Sequence, residues 1–484
     1  MSTIATIPKI RDALRATFHS GLTHSIPWRQ HQLYQLAHMA QNERELICNA
    51  LQKDLGKPKT EVLANELGSV IKRALKSAER LPEWVKAEHP EVIDWQKPWN
   101  PTIYKAPKGT VLIISPWNFP MMLSFQPLTG AIAAGCTVIL KPSELVPTFS
   151  QLLEEIVPKY LDPNAYRVVN GVIPETTKLL ELQWDHIFYT GNGKVARIIA
   201  SAAAKHLTPM TLELGGKSPV IIDSAYNIDL AAKRILWGKC HNAGQICVAP
   251  DYVLVQRDKQ DELVKAFQKH YNAFFSKGAL DSPSFGSIVS DSHYKRLTSL
   301  LSRTKGEMVL KGRADAARKR LELTIVKNVA GGDSLLEEEL FGPILPIVPV
   351  DSLDQAVNFV NASSHPLVLY AFSDNEIVSE THSGGIVFND TLQQLAVSEL
   401  PFTGVGESGY RYQFIKYTYD TFTQLRSSID MPKEAEANLV VRYLPHSEEA
   451  VKVIISHAMI MVHSKYRPHH PHVLHHRTRR LALL

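Results

Sequence analysis

Cys247 is the side chain that could act as a covalent nucleophile. It lies in NAGQICVAPD (242–251), a loop of mostly small and apolar residues. A cysteine becomes a nucleophile when it is accessible and has thiolate character, whereas most free cysteines are small buried hydrophobic residues. The spacing alone does not decide between these two interpretations.

Glu213 and Asn118 could supply a base and a hydrogen-bond donor. Glu213 lies beside a glycine pair in TLELGGKSP (211–219), where a tight turn lets a ligand approach the backbone. Asn118, in SPWNFP (115–120), follows a predicted strand, and its amide can donate to a developing oxyanion. The alternatives are a solvated glutamate before a loop and a turn residue beside proline.

Gly191, Asn192 and Gly193 begin a segment, GNGKVA, that resembles a dinucleotide-binding fingerprint with alanine in its third position. It lies between a predicted strand, HIFYT, and a predicted helix, KVARIIASAAAKH, whose N-terminus can bind an anion. A strand–helix turn that needs glycine is the more common reason for such a hexapeptide. Glu213 lies 22 residues after Gly191 and could be the ribose-binding acid of such a unit.

Short apolar strands alternate with helices from Gly109 onward, which predicts a parallel sheet with helices on both faces. A second alternating series runs from SPVIID (218–223) to about Ile386. The sequence therefore predicts two α/β units side by side. The first ninety residues have helical periodicity that continues through Lys53, and a hairpin is predicted for Ile93–Lys105.

Length and composition are typical of a large soluble protein with more than one domain. The chain has 484 residues, of which 44% are hydrophobic and 21% charged, and this excludes a disordered or fibrous chain. Four cysteines are too few for a disulfide framework and indicate a reducing compartment, so a cytoplasmic location is predicted. No secretory signal and no apolar run of ~18 residues is expected.

The positive charge is concentrated in a C-terminal tail. The net charge is +5, and residues 450–484 hold six Lys or Arg and no acidic residue, which leaves −1 for residues 1–449. The sequence gives no reason to predict nucleic-acid binding. The tail is rich in histidine but has no regular metal-ligand spacing, so no metal site is predicted. Its apolar stretch AVKVIISHAMIMVH could make peripheral membrane contact, although packing on the body is favoured.

Seven motifs, taken together and in order, resemble the aldehyde dehydrogenase superfamily. They are PWNFP, KPSE, FYTGN, LELGGKSP, GQICVAPDYVL, EEELFGP and LPFTGVGESG. Further segments resemble the class 3, fatty aldehyde dehydrogenase-like branch, and fungal members most closely: SGLTHSIPWRQHQL, AAAKHLTPMTLELGGKSP and SGGIVFND. The resemblance covers about residues 13–430.

The resemblance implies a role for each motif residue. Cys247 matches the family's nucleophile, Asn118 its oxyanion amide, and Glu213 its general base rather than a ribose ligand. Lys141 and Glu144 match ribose contacts, and Glu339 and Phe341 match the contacts to the nicotinamide ribose. The remaining cofactor-binding positions that this resemblance predicts are Trp117, Gly191, Asn192, Gly193 and Gly215.

The resemblance also implies the reaction, NAD(P)-dependent oxidation of an apolar aldehyde, fatty or apocarotenoid, through a Cys247 thioester. Glu144 favours NAD with NADP tolerated, because a carboxylate near the ribose would repel a 2′-phosphate. A homodimer is expected, with the hairpin Ile93–Lys105 and the strand-like segment 419–428 as its contact elements.

The implied fold is aldehyde dehydrogenase-like, with two parallel-sheet α/β domains and a small β oligomerisation element. The implied domains are an NAD(P)-binding domain (1–210) and a catalytic domain (211–386). They are followed by a return to the cofactor domain (387–430) and an extension (431–484).

Several positions depart from the family pattern, including Arg411 where fungal relatives usually have glycine, and a segment between Tyr370 and Ser383 that is about five residues short. These departures motivate one alternative, a cofactor-binding paralogue that is catalytically weak and serves as a scaffold. An acylating enzyme that passes the thioester to coenzyme A is a further alternative, which the intact Glu213 disfavours.

Overall fold

The computed structural model describes residues 3–373 and 380–458. The chain divides into two compact units. The larger comprises Met1–Lys86 and Lys105–Arg426, and the smaller comprises Ala87–Tyr104 and Ser427–Leu484. Both main sheets lie in the larger unit.

The first sheet has six strands and is parallel except at one edge. Its strands, in spatial order, are Gly409–Tyr410, Met210–Leu214, His186–Gly191, Thr110–Ile114, Thr137–Lys141 and Tyr166–Val168, and only the first runs antiparallel. Val111 and Ile113 join the apolar cluster on one face, whereas Leu112 and Ile114 join the cluster on the other. This alternation along one buried strand confirms that the sheet is covered on both faces.

Helices cover the two faces of this sheet. One apolar cluster collects residues of the helices Ile26–Asn42, Arg44–Leu55, Gly68–Trp84, Pro120–Ala134 and Pro147–Tyr160. The other collects residues of Ile7–His19, Ile173–Leu180 and Gly193–Ala204. The helical periodicity that the sequence shows through Lys53 belongs to two helices, Ile26–Asn42 and Arg44–Leu55, separated at Glu43. The second of these helices ends before Gly56, whose φ of 60° is left-handed.

The second sheet has seven strands and is also parallel except at one edge. Its strands, in spatial order, are Gly385–Phe388, Val368–Phe372, Pro219–Ile222, Tyr252–Gln256, Ile344–Val350, Thr324–Lys327 and Glu307–Leu310, the last antiparallel. Its helices are Ile228–Cys240, Gln260–Phe274, Asp291–Arg303 and Leu353–Asn361. The prediction of two parallel α/β sheets is confirmed.

The strand Met210–Leu214 spans the predicted domain boundary between residues 210 and 211. It pairs in parallel with His186–Gly191 and so belongs to the first sheet, and the second sheet begins at Pro219. The chain therefore passes between the sheets within the Gly-Gly turn of LELGGKSP. The functional roles of the predicted domains stay a prediction.

The predicted hairpin at Ile93–Lys105 is wrong. Asp94–Trp99 forms a 3₁₀ helix, and a single strand, Thr102–Pro107, follows it. Pro98 lies inside the 3₁₀ helix and cannot donate to a strand ladder, and the rings of Trp95 and Trp99 pack edge to face with centroids 4.8 Å apart.

The strand Thr102–Pro107 pairs instead with Thr423–Ser428, so the strand-like segment 419–428 is a strand only from Thr423. The residues before it form the helix Lys416–Thr421. The two strands make a separate two-stranded sheet.

Two predicted features lie wholly or partly outside the described residues. The shortened segment between Tyr370 and Ser383 contains residues 374–379, and most of the C-terminal tail lies beyond the helix Glu448–Ala458. Among the residues that the structure describes, no helix has the length and apolar character to cross a membrane.

Three residues near the end of the first sheet have left-handed backbone conformations without being glycine. They are Arg411 (φ 73°), Phe414 (φ 89°) and Ile415 (φ 42°). Such a conformation costs about 1–2 kcal/mol for a residue with a Cβ atom. The Arg411 side chain is exposed, so backbone strain at that position is not offset by burial.

We therefore expect Arg411→Gly to raise the free energy of unfolding by about 1 kcal/mol, because glycine adopts this φ without steric cost. The measurement is the denaturant midpoint of the variant against that of the unmodified protein. Arg411→Ala is the matched control, since it removes the charge but keeps the Cβ atom. An equal gain in the alanine variant would show that charge, not strain, is relieved.

Candidate active site

One cavity of about 980 Å³ brings together all but one of the predicted site residues. Its lining includes Trp117, Asn118, Lys141, Glu144, Gly191, Asn192, Glu213, Gly215, Cys247, Glu339 and Phe341. Gly193 is not among the lining residues and instead begins the helix Gly193–Ala204. Four parallel strands of the first sheet end at this cavity, which is where ligands bind in open α/β folds.

The segment before Cys247 has an unusual backbone. Asn242 (φ 48°), Ala243 (φ 52°) and Gly244 (φ 73°) are consecutive left-handed residues. A Cβ atom on Gly244 would lie 2.4 Å from the carbonyl oxygen of Gly342, so only glycine fits there. The close approach packs the Cys247 segment against the loop that carries Glu339 and Phe341.

Gln245 fixes this segment through its side-chain amide. Its Nε2 donates to the carbonyl oxygens of Asn242 (3.1 Å) and Ser287 (2.9 Å), and its Oε1 accepts from the backbone N–H of Val289 (3.0 Å). Gln245 is fully buried. Gln245 lies within the motif GQICVAPDYVL, but nothing in that motif alone indicates this structural role.

Asn118 is bonded to the same segment. Its side-chain Nδ2 donates to the carbonyl oxygen of Gln245 at 3.1 Å. Its backbone carbonyl oxygen accepts from Asn242 Nδ2 (3.0 Å) and from Lys57 Nζ (2.8 Å). The amide that the sequence singles out is therefore bonded to Gln245, which lies two residues before Cys247 in the chain.

A buried ion pair lies behind Asn118. Lys57 Nζ is 2.5 Å from Glu66 Oε1, and both side chains are completely buried. Glu66 Oε2 accepts from the backbone N–H of Met121 (2.8 Å) and Met122 (3.3 Å), at the start of the helix Pro120–Ala134. Lys57 Nζ also lies 3.7 Å from the centroid of the Phe119 ring. Nothing in the local sequence distinguishes Lys57 or Glu66 from surface residues of a helical region.

Cys247 is the most accessible of the four cysteines, since Cys48, Cys136 and Cys240 are buried. Burial raises the pKa of the Cys247 thiol, and the carboxylates of Glu339 and Glu213 raise it further. The backbone N–H groups of Cys247 and Val248 act in the opposite direction. The thiol is therefore protonated at neutral pH in this state and needs a base or a nearby positive charge to ionise.

Glu213 is a buried carboxyl group on the edge of the cavity. Neither of its carboxyl oxygens has a hydrogen-bond partner among the described residues. Burial raises its pKa well above the ordinary value, and its interaction with the side chain of Gln413 offsets part of that effect. A carboxyl group with a raised pKa in a cavity can accept and release a proton near neutral pH.

A polar pair lies at the end of the strand Thr137–Lys141. The ammonium group of Lys141, itself buried, is 3.6 Å from the half-exposed carboxylate of Glu144. Lys141 Nζ also donates to the carbonyl oxygen of Pro142 at 2.8 Å. Burial lowers the pKa of Lys141, while Glu144 raises it. The pair presents one donor group and one acceptor group to the same part of the cavity.

Gly191 and Asn192 shape the turn into the next helix. A Cβ atom on Gly191 would lie 2.2 Å from the hydroxyl oxygen of Tyr189, so the ring fills the space of a side chain. Asn192 caps the helix Gly193–Ala204, because its Oδ1 accepts from the backbone N–H of Val195 at 2.9 Å. The exposed apolar side chains of Val172 and Ile198 line the cavity nearby.

Glu339 and Phe341 lie on the opposite loop. A Cβ atom on Gly215 would meet the Glu339 carboxylate at 2.1 Å, so the glycine makes room for that group. Burial and the charge of Asp251 raise the pKa of Glu339 well above the ordinary value. The Phe341 ring packs edge to face on Trp117 with centroids 5.3 Å apart.

Comparison with known proteins identifies relatives over most of the chain. The family model described as "Aldehyde dehydrogenase family" matches residues 2–428. The chain is 41% identical over 420 residues to 4,4'-diaponeurosporen-aldehyde dehydrogenase of Staphylococcus aureus, covering 86% of this chain and 92% of that one. It is 41% identical over 444 residues to aldehyde dehydrogenase family 3 member A2 of Mus musculus, covering 90% and 91%.

A third relative is the dimeric NADP-preferring aldehyde dehydrogenase of Canis lupus familiaris, at 39% identity over 444 residues, covering 91% of this chain and 98% of that one. Among solved structures, the substrate-bound state of Staphylococcus aureus AldH matches with a TM-score of 0.90 and 39% identity, covering 95% of this chain and 100% of that one. The resemblance to the superfamily and its class 3 branch is confirmed. The greater closeness to fungal members stays a prediction.

Proposed function

Since the chain belongs to the aldehyde dehydrogenase family and oxidises aldehydes with NAD or NADP, we propose that it converts an apolar aldehyde to the carboxylic acid through a thioester on Cys247. The observation that carries the proposal is the convergence of Cys247, Glu213 and Asn118 on one cavity with the predicted cofactor residues. A nucleophile, a base and an amide donor have distinct tasks in such a reaction.

The residues present fit a dinucleotide. Lys141 and Glu144 offer a donor and an acceptor suited to ribose hydroxyls, and Val172 and Ile198 offer apolar contact to a flat base. Glu339 and Phe341 lie on the loop packed against the Cys247 segment, so we assign them to the nicotinamide end. Bound there, the nicotinamide ring supplies the hydride acceptor and a positive charge. We propose NAD as the preferred form, because Glu144 disfavours a 2′-phosphate.

The chemistry of the chain's own groups follows from their types. Once the thiol has lost its proton to solvent, the Cys247 thiolate attacks the aldehyde carbon, which forms a C–S bond and places negative charge on the former carbonyl oxygen. Asn118 Nδ2 and the Cys247 backbone N–H donate to that oxygen. Loss of the hydride leaves a thioester on Cys247.

Hydrolysis of the thioester is assigned to Glu213. Its carboxylate accepts a proton from water as the water oxygen attacks the thioester carbon. The C–S bond then breaks, the thiolate is regenerated, and the acid leaves. The high pKa of the buried Glu213 carboxyl makes this step faster as the pH rises, since only the ionised form accepts the proton.

The apolar substrate is proposed from the cavity lining and from one relative's name. Phe119, Met122, Leu123, Leu395 and Phe414 contribute apolar side chains to the cavity beyond the three reacting groups. One relative is named as a 4,4'-diaponeurosporen-aldehyde dehydrogenase. A fatty or apocarotenoid aldehyde suits such a lining.

We further propose a cytoplasmic location, on the sparse cysteines. The exposed Val451, Ile454 and Ile455 of the helix Glu448–Ala458 keep peripheral membrane contact open as a prediction.

We expect Cys247→Ala to abolish oxidation of decanal while NAD binding persists, because the covalent step needs the thiol and the cofactor contacts do not. The measurements are NADH formation and quenching of tryptophan fluorescence by NAD. Cys240→Ala is the matched control, since that cysteine is buried seven residues earlier and lies outside the proposed chemistry. Turnover by Cys247→Ala at the unmodified rate would refute the mechanism.

Glu213→Gln is expected to slow acid release more than hydride transfer, because the amide cannot accept a proton from water. Stopped-flow traces should show a burst of NADH followed by a slow phase, with an acyl group bound to Cys247 by mass spectrometry. The slow phase should also lose the rise with pH that is expected for the unmodified protein. A variant without the burst and without a bound acyl group would mean that Glu213 acts before the thioester forms.

A homodimer is also proposed. One relative is named as dimeric, and the strand Thr423–Ser428 carries an exposed leucine, Leu425, on an edge that a partner strand could cover. Light scattering should give twice the monomer mass of 54.1 kDa. Leu425→Lys, on the exposed face, should shift the protein toward the monomer, and a monomer in the unmodified protein would contradict the proposal.

A further inference from the structure

Arg73 is a buried cation that the mechanism above does not use. It lies in the helix Gly68–Trp84 and is 1% exposed. Burial lowers its pKa to about 10, and the more distant charge of Glu399, which pairs with Lys76, offsets only part of that effect. Burying an unpaired charge is costly unless its donors are satisfied elsewhere, so the partners of this guanidinium indicate its role.

Two of its partners belong to the segment that follows Thr391. Arg73 Nη2 donates to the carbonyl oxygen of Leu395 at 3.2 Å, and Nε donates to Ser398 Oγ at 3.3 Å. The guanidinium carbon also lies 3.8 Å from the centroid of the Phe414 ring. Leu395 and Phe414 both line the cavity, so one side chain fixes two parts of its apolar wall.

The third guanidinium nitrogen of Arg73, Nη1, connects it to the helix Pro120–Ala134. Arg73 Nη1 donates to Gln126 Oε1 at 2.9 Å, and Gln126 Nε2 donates to Thr418 Oγ1 at 2.8 Å. Thr418 Oγ1 in turn accepts from the backbone N–H of Phe414 at 2.8 Å. The ring and the backbone of Phe414, whose φ of 89° is strained, are thus both held by groups that connect to Arg73.

We propose that Arg73 is a positioning residue that holds Leu395 and Phe414 as the wall against which the tail of the aldehyde lies. This inference rests on the proposed function. It adds that Arg73 sets the preference of the enzyme for the length of the aldehyde's carbon chain. Arg73 makes none of its hydrogen bonds to Cys247, Glu213 or Asn118. Its loss therefore weakens binding of long aldehydes more than it slows the chemical step.

The test compares Arg73→Met and Arg73→Lys with the control Arg80→Met on the oxidation of decanal and propanal. Arg80 lies on the same helix and forms an exposed pair with Glu83. For Arg73→Met, KM for decanal should rise about tenfold, because the aldehyde loses contact with the wall over one or two methylene groups. KM for propanal and the kcat values for both aldehydes should stay within about twofold. Arg73→Lys should lie between, because lysine keeps the cation over Phe414 but lacks the planar fork.

Equal changes in KM for both aldehydes, or a fall in kcat alone, would overturn the proposal in favour of a purely structural role. If Arg73→Met does not fold, Ser398→Ala replaces it. That variant removes one contact and should raise KM for decanal about twofold to threefold without changing that for propanal. An unchanged KM for decanal in that variant overturns the proposal.

Binding of the fluorescent fatty acid cis-parinaric acid separates this inference from the proposed function. If the unmodified protein oxidises neither aldehyde, the proposed function fails. Weaker binding of this probe by Arg73→Met, with unchanged binding by Arg80→Met, would still support the proposal that Arg73 positions Leu395 and Phe414 as an apolar wall. Equal binding by the unmodified protein and both variants would refute it.

Discussion

The buried ion pair between Lys57 and Glu66 is the interaction on which the geometry of the site depends. Lys57 holds the backbone of Asn118, and Glu66 caps the helix that begins two residues later. Each charge is tolerated in the interior only because the other is present and because both make further hydrogen bonds. Removing either partner would leave an uncompensated charge, at a cost of about 3–5 kcal/mol. The N-terminal helical region is thus coupled directly to Asn118, the proposed oxyanion donor.

The segment from Asn242 to Cys247, which precedes the strand Tyr252–Gln256 of the second sheet, holds Asn118 from the side opposite in sequence to this ion pair. Its left-handed residues are strained, and the strain is sustained by the bonds that Gln245, Asn118 and Asn242 exchange. Gly244 allows the segment to pack directly on the loop carrying Glu339. The Cys247 sulfur, the Asn118 amide and the loop carrying Glu339 are therefore set relative to one another before any substrate arrives. Preorganisation of this kind is what makes hydrogen-bond donors effective in stabilising a developing charge.

The sequence predicted the parts of the fold and site whose signals are local. Strands such as Thr110–Ile114 are buried on both faces and appear as continuous apolar runs, and the motif residues meet because parallel strands end at one edge. Lys57 and Arg73 could not be found in this way, because the contacts that link them to the cavity, with Asn118 and Leu395, join residues 61 and 322 positions apart. The hairpin prediction for Ile93–Lys105 was wrong although it used a local signal. The loosely alternating pattern indicated strands, but Pro98 and the contact between Trp95 and Trp99 favour a 3₁₀ helix.

The burial of three of the four cysteines determines which thiol can be oxidised when the protein is exposed to peroxide. Cys48, Cys136 and Cys240 are buried, and the pKa of each thiol is raised above its ordinary value. The thiolate, not the thiol, reacts with peroxide, so burial makes these three sulfur atoms inert both by restricting access and by keeping them protonated. Cys247 is more accessible but is also held as the thiol. Oxidation of cysteine by peroxide is thereby confined to Cys247, whose sulfur stays in its slow-reacting form while the protein is at rest.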